Sequence, residues 1–66
     1  MKNKIKVYRA TRNMTQEELA DRLRVTRRTI NSIEGDTYNP SIELAFRMAK
    51  LFGVPVEEIF SLDEES

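Results

Sequence analysis

Apolar residues recur three and four positions apart along most of this chain, the spacing of a helix that buries one face. Ile5 and Tyr8 predict a first helix from about Lys4 to Arg12, broken by "NMT". Thr15, with Glu18 three residues on, forms a capping box, so a second helix starts there with Leu19, Ala20 and Leu23 as its apolar stripe. Arg24 and Val25 make a short turn. Thr26 caps a third helix, Arg27 to Glu34, with Ile30 and Ile33 facing inward. "GDTYNP" is dense in loop formers. Ser41 then caps a fourth helix, whose inner face is Ile42, Ala45, Met48, Ala49 and Phe52, and Gly53 suits the position after its end. Val56 to Phe60 predicts a short fifth helix, and residues 61–66, "SLDEES", a frayed acidic tail. No strand alternation survives beyond the first few residues. The pattern predicts an all-α fold of five helices in one domain, residues 1–66.

Size and composition narrow the chemistry. A chain of 66 residues buries only about 60% of its unfolded surface, so its core is thin. With no cysteine and no histidine, disulfides, the usual zinc sites, and Ser–His or Cys–His catalysis are excluded. The carboxylates are scattered, so the chain does not read as an enzyme, and neither a cofactor nor a small-molecule ligand is expected. No apolar run approaches the ~18 residues of a membrane span and no signal-peptide pattern opens the chain, which points to a cytoplasmic protein away from membranes.

Charge is balanced overall but not along the chain. Residues 1–31 hold nine Lys/Arg against three acids, and residues 32–66 hold two against eight. Such asymmetry suggests a basic working face and an acidic back.

The basic half ends in the pair Arg27 and Arg28 at the start of the third helix. On a wheel at roughly 100° per residue with Arg27 at zero, Ile30 falls near 300° and Ile33 near 240°. The opposite face is Arg28 and Gly35, flanked by Asn31 and Ser32, with Arg27 at its edge and no acid at its centre. Arginine matches guanine O6 and N7, and asparagine matches adenine N6 and N7. An arginine pair alone is commonly a solvated surface. The capped helix just before it, joined by a three-residue turn, changes that reading.

The stretches "MTQEELADRLRVTRRTINSIE" and "YNPSIELAFRMAKLFGVPVEEIF" resemble the Cro/phage-repressor-like, or XRE, transcriptional regulators over nearly the whole chain. The resemblance implies a lambda-repressor-like five-helix bundle whose third helix enters the major groove of double-stranded DNA. It implies base-facing roles for Arg27, Arg28, Asn31 and Ser32, and a phosphate contact for Gln16. Thr26 and Tyr38 join Gln16 as candidate phosphate contacts. It also implies a structural ion pair between Arg9 and Glu34, and a small residue, Ala20, where the second and third helices approach closely.

Departures from the family pattern matter too. Arg24 stands where the family usually has glycine, at a site that often needs positive φ; that costs a non-glycine residue roughly 1 kcal/mol, which a phosphate contact by Arg24 can offset. Gly35–Asp36–Thr37 replaces the commoner Lys-Gly-Lys, so a basic phosphate contact is missing and Asp36 opposes DNA electrostatically.

The implied function is a sequence-specific transcriptional regulator, a repressor acting on a palindromic operator as a homodimer. Leu44 and Leu51 lie within about 20° on the fourth helix and, with Phe60 and Leu62, predict an apolar dimer surface. The competing reading is an antitoxin or other protein-interaction module of the same fold, with the acidic half as its working surface.

Overall fold

The computed structural model describes residues 1–62. Its elements run β1 (Lys2–Asn3), α1 (Ile5–Thr11), α2 (Gln16–Leu23), α3 (Arg27–Glu34), α4 (Ile42–Phe52), α5 (Val56–Ile59) and β2 (Phe60–Ser61). The predicted caps hold three helices. Thr15 Oγ1 accepts from the Glu18 N–H while the Glu18 carboxylate accepts from the Thr15 N–H. Thr26 and Ser41 accept from the N–H groups of Thr29 and Leu44. Each bond pairs a donor that the first helical turn otherwise leaves orphaned.

Five helices are present among the described residues, but the fold is not purely helical. Phe60 leaves α5 with extended dihedrals, φ −117° and ψ 142°, and pairs with Asn3, while Ser61 pairs with Lys2, in a small antiparallel ribbon. The fifth helix therefore stops one residue short of its predicted end, and Ser61 belongs to a strand rather than to a frayed tail. A two-residue strand is too short to leave an alternating signature, and only its partner across the chain makes it a strand. Residues 63–66, the rest of the predicted tail, lie outside the described residues.

The core is continuous through Ile5, Leu19, Leu23, Ile30, Ile33, Met48, Phe52 and Ile59. Tyr8 stacks on Phe52 with ring centroids 5.4 Å apart. Helix α4 is rotated relative to the predicted wheel. Ile42, expected inward, is 77% exposed, and Phe46 is 62% exposed, whereas Leu44 is buried at 6%. The buried face is centred near Met48 and extends toward Leu44, which lies closer to it on the wheel than Ile42 does. This corrects the predicted dimer surface. Leu44 and Phe60 are core residues, Leu51 packs half-buried against the core, and of the four only Leu62 is freely exposed.

Candidate nucleic-acid interface

Helices α2 and α3 are joined by a turn whose geometry is demanding. Arg24 has φ 60° and ψ 43°, in the left-handed region, where its Cβ is crowded. That conformation carries the chain round so that the Val25 N–H reaches the Ala20 carbonyl at 3.0 Å. Ala20 is buried beneath it. The Leu23 carbonyl, another orphan of the helix end, accepts from Arg47 Nη2 of α4 at 2.6 Å. In the same way the Phe52 carbonyl accepts from Arg12 Nη2 at 2.7 Å, with the Arg12 guanidinium 5.3 Å from the centre of the Phe52 ring.

Helix α3 buries Ile30 and Ile33 and turns Arg27, Arg28 and Asn31 to solvent, where they line one shallow surface depression. Ser32, the fourth predicted base-facing residue, is half-buried, and its carbonyl accepts from the N–H and hydroxyl of Thr37. Arg24 and Thr26 are exposed beside the helix start, and the Thr26 hydroxyl is already engaged in capping. Tyr38 is exposed in the loop after α3, at a depression it shares with Val25, Thr29 and Arg47.

Beneath this face lies an ion pair. Arg9 Nε donates to Glu34 Oε2 at 2.7 Å and Arg9 Nη2 to Glu34 Oε1 at 3.1 Å, while Arg9 Nη1 donates to the Met14 carbonyl at 2.9 Å. The side chains are 15% and 9% exposed. The hydrogen bond to Glu34 raises the Arg9 pKa against the opposing effect of burial. A fork-to-fork pair of this kind fixes direction as well as distance, so it ties the end of α3 to α1. Gln16 enters the same cluster. Its Nε2 donates to Glu34 Oε1 at 3.1 Å, and its Oε1 accepts from Asn31 Nδ2 at 3.4 Å.

Asn3, which the sequence did not single out, holds the far end of α3. Its Nδ2 donates to the Ile33 carbonyl and to Asp36 Oδ1, each at 2.9 Å, and its Oδ1 accepts from the Ile5 N–H at 3.1 Å. Asp36 has φ +62°, a conformation aspartate tolerates better than most residues. Its carboxylate is thus held by the N-terminal segment. Asn3, Arg12 and Arg47 act over 24 to 40 residues of sequence, so no local motif announces them.

A helix-turn-helix family model matches residues 5–59. The chain is 54% identical over 65 residues to an uncharacterised helix-turn-helix-type transcriptional regulator of Methanocaldococcus jannaschii, covering 98% of both proteins. It is 36% identical over 62 residues to the cryptic phage CTXphi transcriptional repressor RstR of Vibrio cholerae, covering 94% of this chain and 56% of that one. In fold it is similar to the crystal structure of a hypothetical transcription factor from Neisseria, with TM-score 0.75, 24% identity, and coverage of 82% of this chain and 61% of that one.

Proposed function

The chain belongs to the XRE-type helix-turn-helix family of DNA-binding transcriptional regulators, and from that premise we propose that it is a repressor that reads a palindromic operator as a homodimer. One observation carries the base-reading assignment. The solvent face of α3 presents Arg27, Arg28 and Asn31 together with no acid among them, while its opposite face is locked into the core. Arg28 and Asn31 read base edges, Ser32 and Arg27 flank them, and Arg24, Thr26, Tyr38 and Gln16 lie toward the phosphates.

The described residues measure 36 × 23 × 21 Å and contain one helix-turn-helix, which covers one half-site. Two half-sites lie about 34–36 Å apart, so a two-fold pair is the natural reader. The exposed apolar residues of α4 supply a face for a second copy. Ile42 and Phe46 are one turn apart, and Glu43 and Lys50 flank Phe46. An antiparallel pairing of two α4 helices about Phe46 sets each Glu43 near the other copy's Lys50, because both lie about 5 Å along the axis from the midpoint.

The test is selection of bound sites from random double-stranded DNA, followed by affinity measurements across salt concentrations. A two-fold symmetric site is expected. If Arg24 of both copies meets a phosphate, log K falls by about 1.8 per tenfold rise in salt. Light scattering should show a dimer that Phe46→Glu dissociates. Failure to enrich any sequence refutes the DNA reading and leaves the protein-interaction alternative. A strictly monomeric wild type refutes the pairing.

A further inference from the structure

The base-facing Asn31 ends a chain of four side chains. Arg9 donates to Glu34, Glu34 accepts from Gln16 Nε2, and Gln16 Oε1 accepts from Asn31 Nδ2. The two ends of the ion pair have no choice of role: a guanidinium only donates and a carboxylate only accepts. Gln16 must therefore turn its amino group to Glu34, which leaves its oxygen toward Asn31. Asn31 answers that oxygen with its own amino group, across 3.4 Å at the solvent-exposed edge of the cluster. A carboxamide alone on a surface has two nearly equivalent orientations related by a flip. Here both are set, in series, by one carboxylate that is itself held from α1.

We propose that Glu34 is a positioning residue for base recognition: through Gln16 it determines which way round Asn31 presents its carboxamide. This rests on the DNA-binding reading of α3. Gln16 uses one Nδ2 hydrogen of Asn31, so the second hydrogen and Oδ1 remain for a base. That donor and acceptor pair matches adenine N7 and N6. The carboxylate that ties α3 to α1 thus also selects one of the two faces that Asn31 can offer.

Gln16→Ala cuts the chain while sparing the Arg9–Glu34 pair and the Thr15 cap, and its melting curve checks that it folds. Sites are selected for wild type, Gln16→Ala and Asn31→Ala, and affinities are measured on the best site and its single-base variants. The expected wild-type result is adenine at one pair. Asn31→Ala and Gln16→Ala should each lose at least about fivefold in discrimination at that same pair and nowhere else. The combined variant should lose no more than Asn31→Ala alone. In the free protein, the Asn31 side-chain amide resonances should move in Gln16→Ala. A uniform loss on all sequences would assign Gln16 to a phosphate alone and overturn the proposal, as would unmoved amide resonances with unchanged base preference. A wild type that enriches no site overturns the DNA reading beneath it, a result distinct from a selective wild type whose preference survives Gln16→Ala.

Discussion

Replacing Glu34 by glutamine tests whether the Arg9–Glu34 pair holds the domain together. Glutamine keeps the shape but turns one acceptor oxygen into a donor, which faces the guanidinium that Arg9 already directs there at 2.7 and 3.1 Å. With the partners only 15% and 9% exposed, water replaces the lost acceptor poorly. Breaking a fully buried pair from one side costs about 3–5 kcal/mol, and a half-buried pair such as this one costs less, about 2–3 kcal/mol. The Met14 carbonyl still accepts from Arg9, which favours the lower end. A domain of this length holds on the order of 3–10 kcal/mol in total. At about 4–8 °C per kcal/mol for domains of this size, Glu34→Gln should melt at least about 8 °C below wild type. The assay is thermal and urea denaturation followed by circular dichroism at 222 nm. Replacing both partners by methionine is the control: exchanging a buried pair for apolar side chains is often neutral, so the double variant should recover much of the loss. An unchanged melting temperature for Glu34→Gln would refute the reasoning.

Arg28→Ala should weaken the selected site by about 1–3 kcal/mol and relax preference at one base pair; equal losses on selected and random DNA in a binding titration would assign Arg28 to a phosphate instead. Arg24→Gly removes the left-handed strain at φ 60° at some cost in unfolded-chain entropy, so stability should be unchanged or up to about 1 kcal/mol higher, whereas Arg24→Val should lower it; denaturant midpoints decide, and a large loss with glycine would show that Arg24 makes a stabilising contact. The Glu18 carboxylate is held below its usual pKa by hydrogen bonds from the backbone and side chain of Thr15. Because the folded value is the lower one, its contribution is complete above the unfolded value of about 4.3 and is lost as pH falls through the folded value. Glu18→Gln should therefore flatten the acid limb of a stability-versus-pH curve below about pH 4.5, and an acid limb as steep as wild type's would contradict the linkage.

The helices, their starts and the outward face of α3 were legible in the sequence because each depends on residues within one or two turns. Thr15, Thr26 and Ser41 act on N–H groups three residues away, and a 3.6-residue period places Ile30 and Ile33 opposite Arg28 without reference to the rest of the chain. The resemblance to a known family supplied the longer-range Arg9–Glu34 pair, which no local rule yields. What only the tertiary structure decided is whatever depends on a partner distant in sequence. Phe60 pairs with Asn3 and so ends α5 early. The packing of α4 against the rest of the core exposes Ile42 and buries Leu44, although both are equally apolar. Asn3, Arg12 and Arg47 find carbonyls at helix ends 24 to 40 residues away. Gln16 bridges Glu34 and Asn31 only because α2 and α3 cross closely above the buried Ala20. Local hydrogen bonding and periodicity choose the elements, since they act within a helical turn. Burial and side-chain orientation at the site are shared among several elements, so only the assembled fold assigns them.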